Sequence, residues 1–360
     1  MTDTDQTTNF IEQITSAYEN NKHLSICGGQ SKNFLFDIDQ TIEIEKLSTT
    51  GHTGIVNYLP SELTITVRTG TPILEVQQVL SEKGQMLAFD PPVYNEKSTI
   101  GGVIATGLSG PRRPFTGSVR DFVLGTEVIN GKGEHLKFGG EVMKNVAGYD
   151  VSRLMVGAMG QLGLITSVSL KVLPILESEQ TIAIEMSEKS FFNTVQQWLQ
   201  KSYPLSAAIY FNHQAYFRLS ASSLFVQQTI DEIKLDYTTS ILENDFWNQL
   251  NNQTHEFFNE KRNLLKVLLP MYSTDFHCEN SDQMIDWGGG CRWLYTDESI
   301  ETIRKQAEKF EGTAQIFRDN DQYSTEGKRV HPRSETITLL EKRIKKQFDP
   351  QQIFNPHYAN

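Results

Sequence analysis

The sequence predicts an α+β fold of two domains followed by a short C-terminal segment, and three observations lead to this prediction. The chain has 360 residues, more than one hydrophobic core usually serves. Its glycines crowd between residues 98 and 163 and are absent from 164 to 287, which marks a change of domain. Segments with helix and strand periodicity are intermixed in both parts. We expect domains at 1–174 and 175–333, with a tail at 334–360 that packs back on the first domain.

Composition and charge exclude several classes of protein. With 38% hydrophobic and 21% charged residues, the chain can bury a sizeable core and is not disordered in composition. The net charge of -11, with no basic stripe, argues against a nucleic-acid partner. Three cysteines without metal-type spacing, and no apolar run of 18 residues, predict a cytoplasmic protein without a transmembrane segment. Any attachment to a membrane would then be through partners.

Apolar residues at helical spacing, and alternating apolar and polar residues, define the elements of the first domain. They are, in order, a helix over Phe10–Tyr18, a strand over Leu24–Cys27, a strand over Leu63–Val67, a helix from Thr71 to Gly84, strands over Phe122–Ile129 and His135–Phe138 around an Asn-Gly-Lys-Gly turn, and a strand over Leu164–Leu173. Thr71 and Pro72 are predicted as the N-cap and first residue of their helix.

The same patterns predict a ferredoxin-like second domain, because a split βαβ unit needs strand, helix, strand, strand, helix and strand in that order. The predicted elements are strands at 181–186, 207–212 and 215–220 and near Thr238, helices at 190–202 and 223–234, a second strand-helix-strand stretch over 291–318, and a last helix over 334–347. No internal sequence repeat accompanies them.

Glycine-rich turns after strands are the candidate binding residues. Gly28-Gly29-Gln30-Ser31 follows an apolar strand, and consecutive backbone N–H groups in such a turn can form a nest for a pyrophosphate. Two further clusters, Ser98–Gly107 and Gly157–Thr166, come later in the chain. The G-x-G-x-x-G fingerprint of a Rossmann dinucleotide site is absent, so a standard NAD domain is not expected.

The order of these clusters resembles the FAD-binding PCMH-type domain of the vanillyl-alcohol oxidase and p-cresol methylhydroxylase superfamily. More closely, the chain is similar to the E subunits of bacterial glycolate oxidases (glycolate dehydrogenases). The runs that carry the resemblance are Gly110–Pro114, Gly117–Gly125, Phe138–Asp150, Ile285–Gly289 and Ile353–Pro356.

The resemblance implies FAD as the cofactor and assigns roles to individual residues. By this likeness Gly28, Gly29, Gln30 and Ser31 hold the pyrophosphate. Pro92, Ser98, Thr99, Ile100, Gly101 and Gly102 line the flavin; Ala105, Thr106 and Gly107 border its ribityl region; and Gly160, Gly163 and Ile165 lie by the adenosine half. Gln30 stands where the superfamily often has a histidine that bonds the flavin, which implies noncovalent FAD.

The resemblance also implies partners and a reaction. It implies an FAD subunit of a complex that oxidises glycolate to glyoxylate, with a second FAD subunit acting on the hydroxy acid and an iron-sulfur subunit receiving electrons. No catalytic base and no metal-binding histidine pair is identifiable in this chain, so it is expected to be inactive alone. Two alternatives stay open: a non-catalytic assembly subunit that retains the flavoprotein fold, and a stand-alone FAD-dependent oxidoreductase.

Other polar and aromatic residues have both a structural and a functional interpretation. Arg112 and Arg113 could contact an anion or a partner, or lie in a solvated loop, and Lys144 is a similar case. Trp287 could be an interface anchor or a core residue, as could Phe115.

Overall fold

The fold was determined as a computed structural model that describes residues 3–36, 43–140, 149–242, 245–319 and 329–356. Its strands are β1 His23–Cys27, β2 Ile44–Ser48, β3 Ile55–Leu59, β4 Thr64–Arg68, β5 Gln85–Met86, β6 Val123–Ile129, β7 His135–Gly139, β8 Leu164–Lys171, β9 Leu173–Pro174, β10 Ser178–Glu185, β11 Leu205–Phe211, β12 Gln214–Ala221, β13 Ser240–Leu242, β14 Leu264–Leu268, β15 Ser281–Asp286, β16 Cys291–Thr296 and β17 Thr313–Arg318.

Its helices are α1 Thr7–Glu19, α2 Ile73–Ser81, α3 Ile100–Thr106, α4 Arg113–Thr116, α5 Val119–Phe122, α6 Val151–Leu154, α7 Glu188–Gln200, α8 Ser223–Asp236, α9 Phe246–Asn251, α10 Ile300–Glu308 and α11 Glu335–Phe348. The mixed α+β class is thereby confirmed. The predicted elements fall close to these bounds, and the 130–133 turn joins β6 and β7 as an antiparallel hairpin.

Two compact units divide the chain, and they are not contiguous in sequence. The first unit contains residues 1–110, 117–175 and 333–360. The second contains 176–332 together with Pro111–Thr116, a segment that lies within the 1–174 range expected for the first domain. This segment belongs with the second unit because Arg112 forms an ion pair with Glu179 and Phe115 packs into the apolar core of that unit.

The first unit contains an antiparallel sheet in the order β3-β4-β8-β6-β7 and a separate parallel pair, β1-β2. Its main core lies between this sheet and the helices, with Ile65, Val168, Val76 and Val103 fully buried. A smaller core joins α1 to β1 and to Phe354. The parallel pair therefore has its own apolar support, and it carries the first glycine turn at its end.

The start of α2 differs from the prediction by one residue. Pro72 is the N-cap and makes no side-chain capping bond. Thr71 is fully buried, and its Oγ1 instead accepts a hydrogen bond of 2.9 Å from the N–H of Gly54. The prediction of Thr71 as N-cap was wrong because a long-range backbone donor takes its hydroxyl.

The second unit contains one antiparallel sheet in the order β13-β10-β12-β11-β15-β16-β14-β17. Its first half has the β-α-β-β-α-β arrangement predicted, from β10 through α7, β11, β12 and α8 to β13. The strand order of the second half, β15-β16-β14-β17, is the mirror image of the order in the first half, and the two halves meet where β11 pairs with β15. The second half differs in that residues 269–280, between β14 and β15, contain no helix. A structural repeat is therefore present without a sequence repeat.

Candidate functional site

The first glycine turn is held tightly against the loop before α3. The carbonyl of Cys27, at the end of β1, accepts a 2.8 Å hydrogen bond from the N–H of Thr49. A Cβ atom added at Gly28 would lie 2.8 Å from Thr99 Oγ1, and one at Gly29 only 1.5 Å from the Lys97 carbonyl oxygen. Both positions therefore require glycine. The first two glycine clusters, distant in sequence, meet here.

Side chains from both segments complete this contact. Ser98 donates a 2.9 Å hydrogen bond from its hydroxyl to the hydroxyl of Ser31. Thr99 caps α3, because its Oγ1 accepts a 3.1 Å hydrogen bond from the N–H of Gly102. Ile100 is fully buried in the core, whereas Gln30 is exposed with a left-handed φ of 56°. The hydroxyls and backbone amides of residues 28–31 and 98–102 thus share one region.

Gly101 and Gly102 are glycine for different reasons. A Cβ at Gly101 would lie 2.6 Å from Thr69 Cβ, so the fold itself excludes a side chain there. A Cβ at Gly102 would meet only two protein atoms within 4 Å, Thr99 Oγ1 at 3.3 Å and Lys32 Nζ at 4.0 Å. Among the described residues, only the Thr99 hydroxyl would have to shift slightly to admit a Cβ here, and the rest of the space is open.

Lys32 is a buried cation that the sequence analysis did not single out. Its side chain follows the glycine turn, is 5% exposed, and hydrogen bonds through Nζ to the Ser31 hydroxyl at 3.3 Å. The Nζ atom also lies 5.6 Å from the ring centroid of Tyr94. Burial lowers the pKa of Lys32 to about 8, and no described carboxylate pairs with it. A buried ammonium without a counter-ion is costly, and a bound anion would remove that cost.

The third glycine cluster lies alongside the C-terminal half of α3. The N–H of Gly157 donates to the Ile104 carbonyl at 3.0 Å, and the N–H of Met159 donates to the Ala105 carbonyl at 2.9 Å. Gly107 ends the helix with a φ of 66°, a conformation that favours glycine. Ala105, Thr106 and Gly107 are therefore next to the turn that contains Gly160.

Asn355 ties this turn to β1. Its Oδ1 accepts a 2.8 Å hydrogen bond from the N–H of Ile26, while its Nδ2 donates to the Met159 carbonyl at 2.8 Å. A Cβ at Gly160 would lie 2.6 Å from the same Nδ2. In the sequence, the Ile353–Pro356 run is only part of the family resemblance. In the structure Asn355 is a positioning residue that joins β1 and the third glycine cluster.

Three predicted site residues have less direct relations to this region. Gly163 packs against β6, since an added Cβ would lie 2.7 Å from Val128 Cγ1. Ile165 is 7% exposed and belongs to the apolar core, and Pro92 is buried in the loop between β5 and α3. Packing alone accounts for Gly163 and Ile165.

Arg112 and Arg113 differ in their environments. Arg112 is buried and paired with Glu179. Although burial favours the neutral acid, Arg218 and Arg112 together hold the pKa of Glu179 below its ordinary value. Arg112 therefore has a structural role, whereas Arg113 is exposed. Lys144 and the rest of residues 141–148 lie outside the described residues.

Within the described ranges, no three His, Cys, Asp or Glu side chains lie close enough together to hold a metal ion. No described helix is both long and apolar enough to cross a bilayer.

Known proteins resemble this chain in sequence and in fold. A family model described as an FAD binding domain matches residues 5–139, which include the first two glycine clusters. A solved structure of alkyldihydroxyacetonephosphate synthase shares the fold with a TM-score of 0.69 and 13% identity, over 97% of this chain and 75% of that one. The FAD-binding fold expected from the sequence is confirmed.

Two curated relatives are more similar in sequence. Glycolate oxidase subunit GlcD of Bacillus subtilis (strain 168) is 38% identical over 120 residues, which are 33% of this chain and 25% of that protein. Glycolate oxidase subunit GlcE of Escherichia coli (strain K12) is 38% identical over 347 residues, which are 96% of this chain and 95% of that protein. The resemblance and the FAD cofactor are thus confirmed, and the chain belongs to the family of GlcE-type glycolate oxidase subunits, which are FAD-binding flavoproteins.

Proposed function

We propose that FAD lies along the three glycine clusters, with its pyrophosphate at Gly28–Ser31 and its flavin along Pro92 and Ser98–Gly102. In this proposal Ala105–Gly107 border the ribityl region and Gly160–Ile165 lie by the adenosine half. The observation that carries the proposal is the buried Lys32 ammonium beside the open space at Gly102. An ammonium that no described carboxylate pairs with suits a diphosphate, and a backbone without a side chain suits a flat ring.

In the cell, this FAD subunit would belong to a complex that oxidises glycolate to glyoxylate. The names of the GlcE and GlcD relatives support a complex with a hydroxy-acid-oxidising FAD subunit, and an iron-sulfur subunit would receive the electrons. When bound, FAD supplies hydride and electron-accepting chemistry. This chain would hold the cofactor through Lys32 and the backbone of the glycine turns. We also propose that this chain is located in the cytoplasm.

FAD should be released from the denatured protein without a covalent link. Gln30 is exposed and its amide cannot form the bond that a histidine makes to a flavin ring. Acid precipitation of the purified holoprotein should leave all yellow colour in the supernatant. Flavin fluorescence that stays with the precipitated polypeptide would contradict this expectation.

The isolated chain should oxidise glycolate at a negligible rate. No described group of acidic, histidine or cysteine side chains forms a metal centre, and the sequence pattern marks no general base. The measurement is reduction of an artificial dye by the purified holoprotein with glycolate, before and after addition of the hydroxy-acid and iron-sulfur subunits. Activity should appear only in the mixture.

The same assay separates the alternatives. Rapid dye reduction by the isolated chain would favour a stand-alone oxidoreductase. Full activity of a complex rebuilt with an FAD-free variant of this chain would favour an assembly role.

A further inference from the structure

A buried ion pair in the last turn of α11 contacts the third glycine cluster, and the proposed FAD contacts do not include it. Lys345 Nζ lies 2.7 Å from Asp349 Oδ2, with the aspartate side chain fully buried and the lysine side chain 20% exposed. Burial lowers the pKa of Lys345, and the charge of Asp349 acts in the opposite direction. Burying two charges is costly unless further hydrogen bonds satisfy them, so the other partners of this pair indicate its role.

The Asp349 carboxylate fixes the chain just before Asn355. Its Oδ1 accepts a 3.0 Å hydrogen bond from the N–H of Ile353, and its Oδ2 accepts a 2.9 Å bond from the N–H of Phe354. The Phe354 carbonyl accepts a 3.1 Å bond from Lys345 Nζ. The ion pair therefore bonds the backbone of two consecutive residues, and in this way it sets the position of the next residue, Asn355.

The turn between β6 and β7 holds Asp349 from another side. The N–H of Gly131 donates a 2.8 Å hydrogen bond to the Phe348 carbonyl. A Cβ atom added at Gly131 would lie only 2.8 Å from the Cα of Asp349, so the two backbones are in close contact. The carboxylate thus projects from a backbone that is fixed independently of the carboxylate's own hydrogen bonds.

Lys345 and Asn355 hold the third glycine cluster on either side of Gly160. Lys345 Nζ donates a 2.6 Å hydrogen bond to the Gln161 carbonyl, and Asn355 Nδ2 donates a 2.8 Å bond to the Met159 carbonyl. Gly160 lies between these two anchored residues with a left-handed φ of 70°. The ion pair therefore acts on this turn twice, directly through Lys345 and indirectly through Asn355.

These two hydrogen bonds also orient the N–H groups of Gly160 and Leu162. In a trans peptide the N–H points opposite to the carbonyl, and the described chain contains no cis peptide bond. The two N–H groups therefore point away from Asn355 and Lys345. Neither N–H has a hydrogen-bond acceptor among the described residues, although Leu162 is buried. A buried N–H without an acceptor is rare in folded proteins, so these groups suit a ligand that accepts hydrogen bonds.

We propose that Lys345 and Asp349 are positioning residues for the adenosine half of FAD, an inference that rests on the cofactor location proposed above. They fix the two peptide groups that flank Gly160, so that the N–H groups of Gly160 and Leu162 donate to this half of the cofactor. Neither charged side chain contacts FAD itself. Their effect passes through the backbone of the turn and is confined to the adenosine half, because the flavin is proposed to lie at Ser98–Gly102.

The test is calorimetric titration of the FAD-free full chain with FAD and with its two halves, AMP and FMN. The double variant Lys345→Met/Asp349→Asn removes both charges together, because one unpaired charge in a buried position would destabilise the fold. The affinity of this variant for FAD and for AMP should fall by about tenfold to a hundredfold, the effect of losing two hydrogen bonds of ordinary strength. Its affinity for FMN should equal that of the parent protein.

Two further variants complete the test. Lys346, the next residue of α11, is exposed, so Lys346→Met is the matched control and should bind all three ligands like the parent protein. Lys345→Met alone keeps both hydrogen bonds from the tail to Asp349 and removes the bond to the Gln161 carbonyl. It should weaken AMP binding less than the double variant does, and it tests the direct contact if the double variant does not fold.

Three results would overturn the inference. The first is that the Lys345 variants bind AMP as tightly as the parent protein. The second is that FMN affinity falls together with AMP affinity, which would indicate a general loss of structure instead of an effect on the adenosine half. The third is a parent protein that binds neither FAD nor AMP, and this result alone would also contradict the proposed cofactor function.

Discussion

Replacing Lys32 with methionine should stabilise the FAD-free protein and at the same time weaken its affinity for FAD. Burial lowers the pKa of Lys32 to about 8 from 10.5, so the charged form is disfavoured in the folded chain. At about 1.4 kcal/mol per pKa unit, this costs roughly 3 kcal/mol near neutral pH. Methionine removes the cost, and the melting temperature of the apoprotein should rise by several degrees. Loss of a charge-assisted bond should weaken FAD binding by about tenfold to a hundredfold.

Two further measurements make this prediction specific. Because FAD binding would require the ammonium form, the affinity of the parent protein should fall as pH rises above about 8, while that of Lys32→Met should not. The stability of the apoprotein should change with pH in the opposite direction. Between about pH 8 and 10.5 the unfolded chain keeps a proton on Lys32 that the folded chain has lost, so the free energy of unfolding rises with pH over that range.

Lys97, an exposed lysine in the adjoining loop, gives the control variant Lys97→Met. Lys97→Met should change neither the melting temperature of the apoprotein nor its affinity for FAD. If Lys32→Met destabilised the apoprotein and left FAD binding intact, Lys32 would be structural.

A valine at position 102 should abolish FAD binding while the protein stays folded. The space beside Gly102 holds few protein atoms, so the two methyl groups of valine would occupy the volume proposed for the flavin. The purified Gly102→Val protein should be colourless. Its FAD-free melting temperature should remain near that of the parent apoprotein, and the second unit should retain its tryptophan fluorescence.

Gly101 gives the contrasting variant in the same helix. Alanine there would force a Cβ to within 2.6 Å of Thr69 Cβ, so Gly101→Ala should destabilise the first unit even without FAD. Gly102→Ala, with a smaller intrusion, should bind FAD with intermediate affinity. Stoichiometric FAD in Gly102→Val would show that the flavin lies elsewhere.

Local patterns were sufficient for most of the elements, and they failed where long-range contacts decide the structure. The helix over Thr7–Glu19 and the hairpin turn at 130–133 follow from periodicity and turn residues, which act within a few positions. β14 and β15 were not predicted, because residues 269–280 between them contain no helix and no strand-helix-strand pattern marks the pair.

The site was only partly predictable for a related reason. A cluster of glycines indicates a special backbone conformation or a close approach to a ligand, so it can be recognised in a sequence. A single lysine after a turn carries no such signal, because lysine is ordinarily a surface residue. The burial of Lys32 comes from the surrounding fold. The contacts of Asn355 with Ile26 and Met159 join segments 329 and 196 positions away, which no local pattern reports.

The attachment of the tail to β1 has a consequence for biosynthesis. Translation proceeds from the N-terminus. Leu24 pairs with Phe354, and the N–H of Ile26 donates a hydrogen bond to Asn355, so β1 gains these contacts only after residue 355 has been synthesised. A nascent chain still attached to the ribosome lacks this support. We therefore expect a chain terminated before residue 353 to contain complete N-terminal segments but to lack the contacts of Phe354 and Asn355 that support the strand before the first glycine turn.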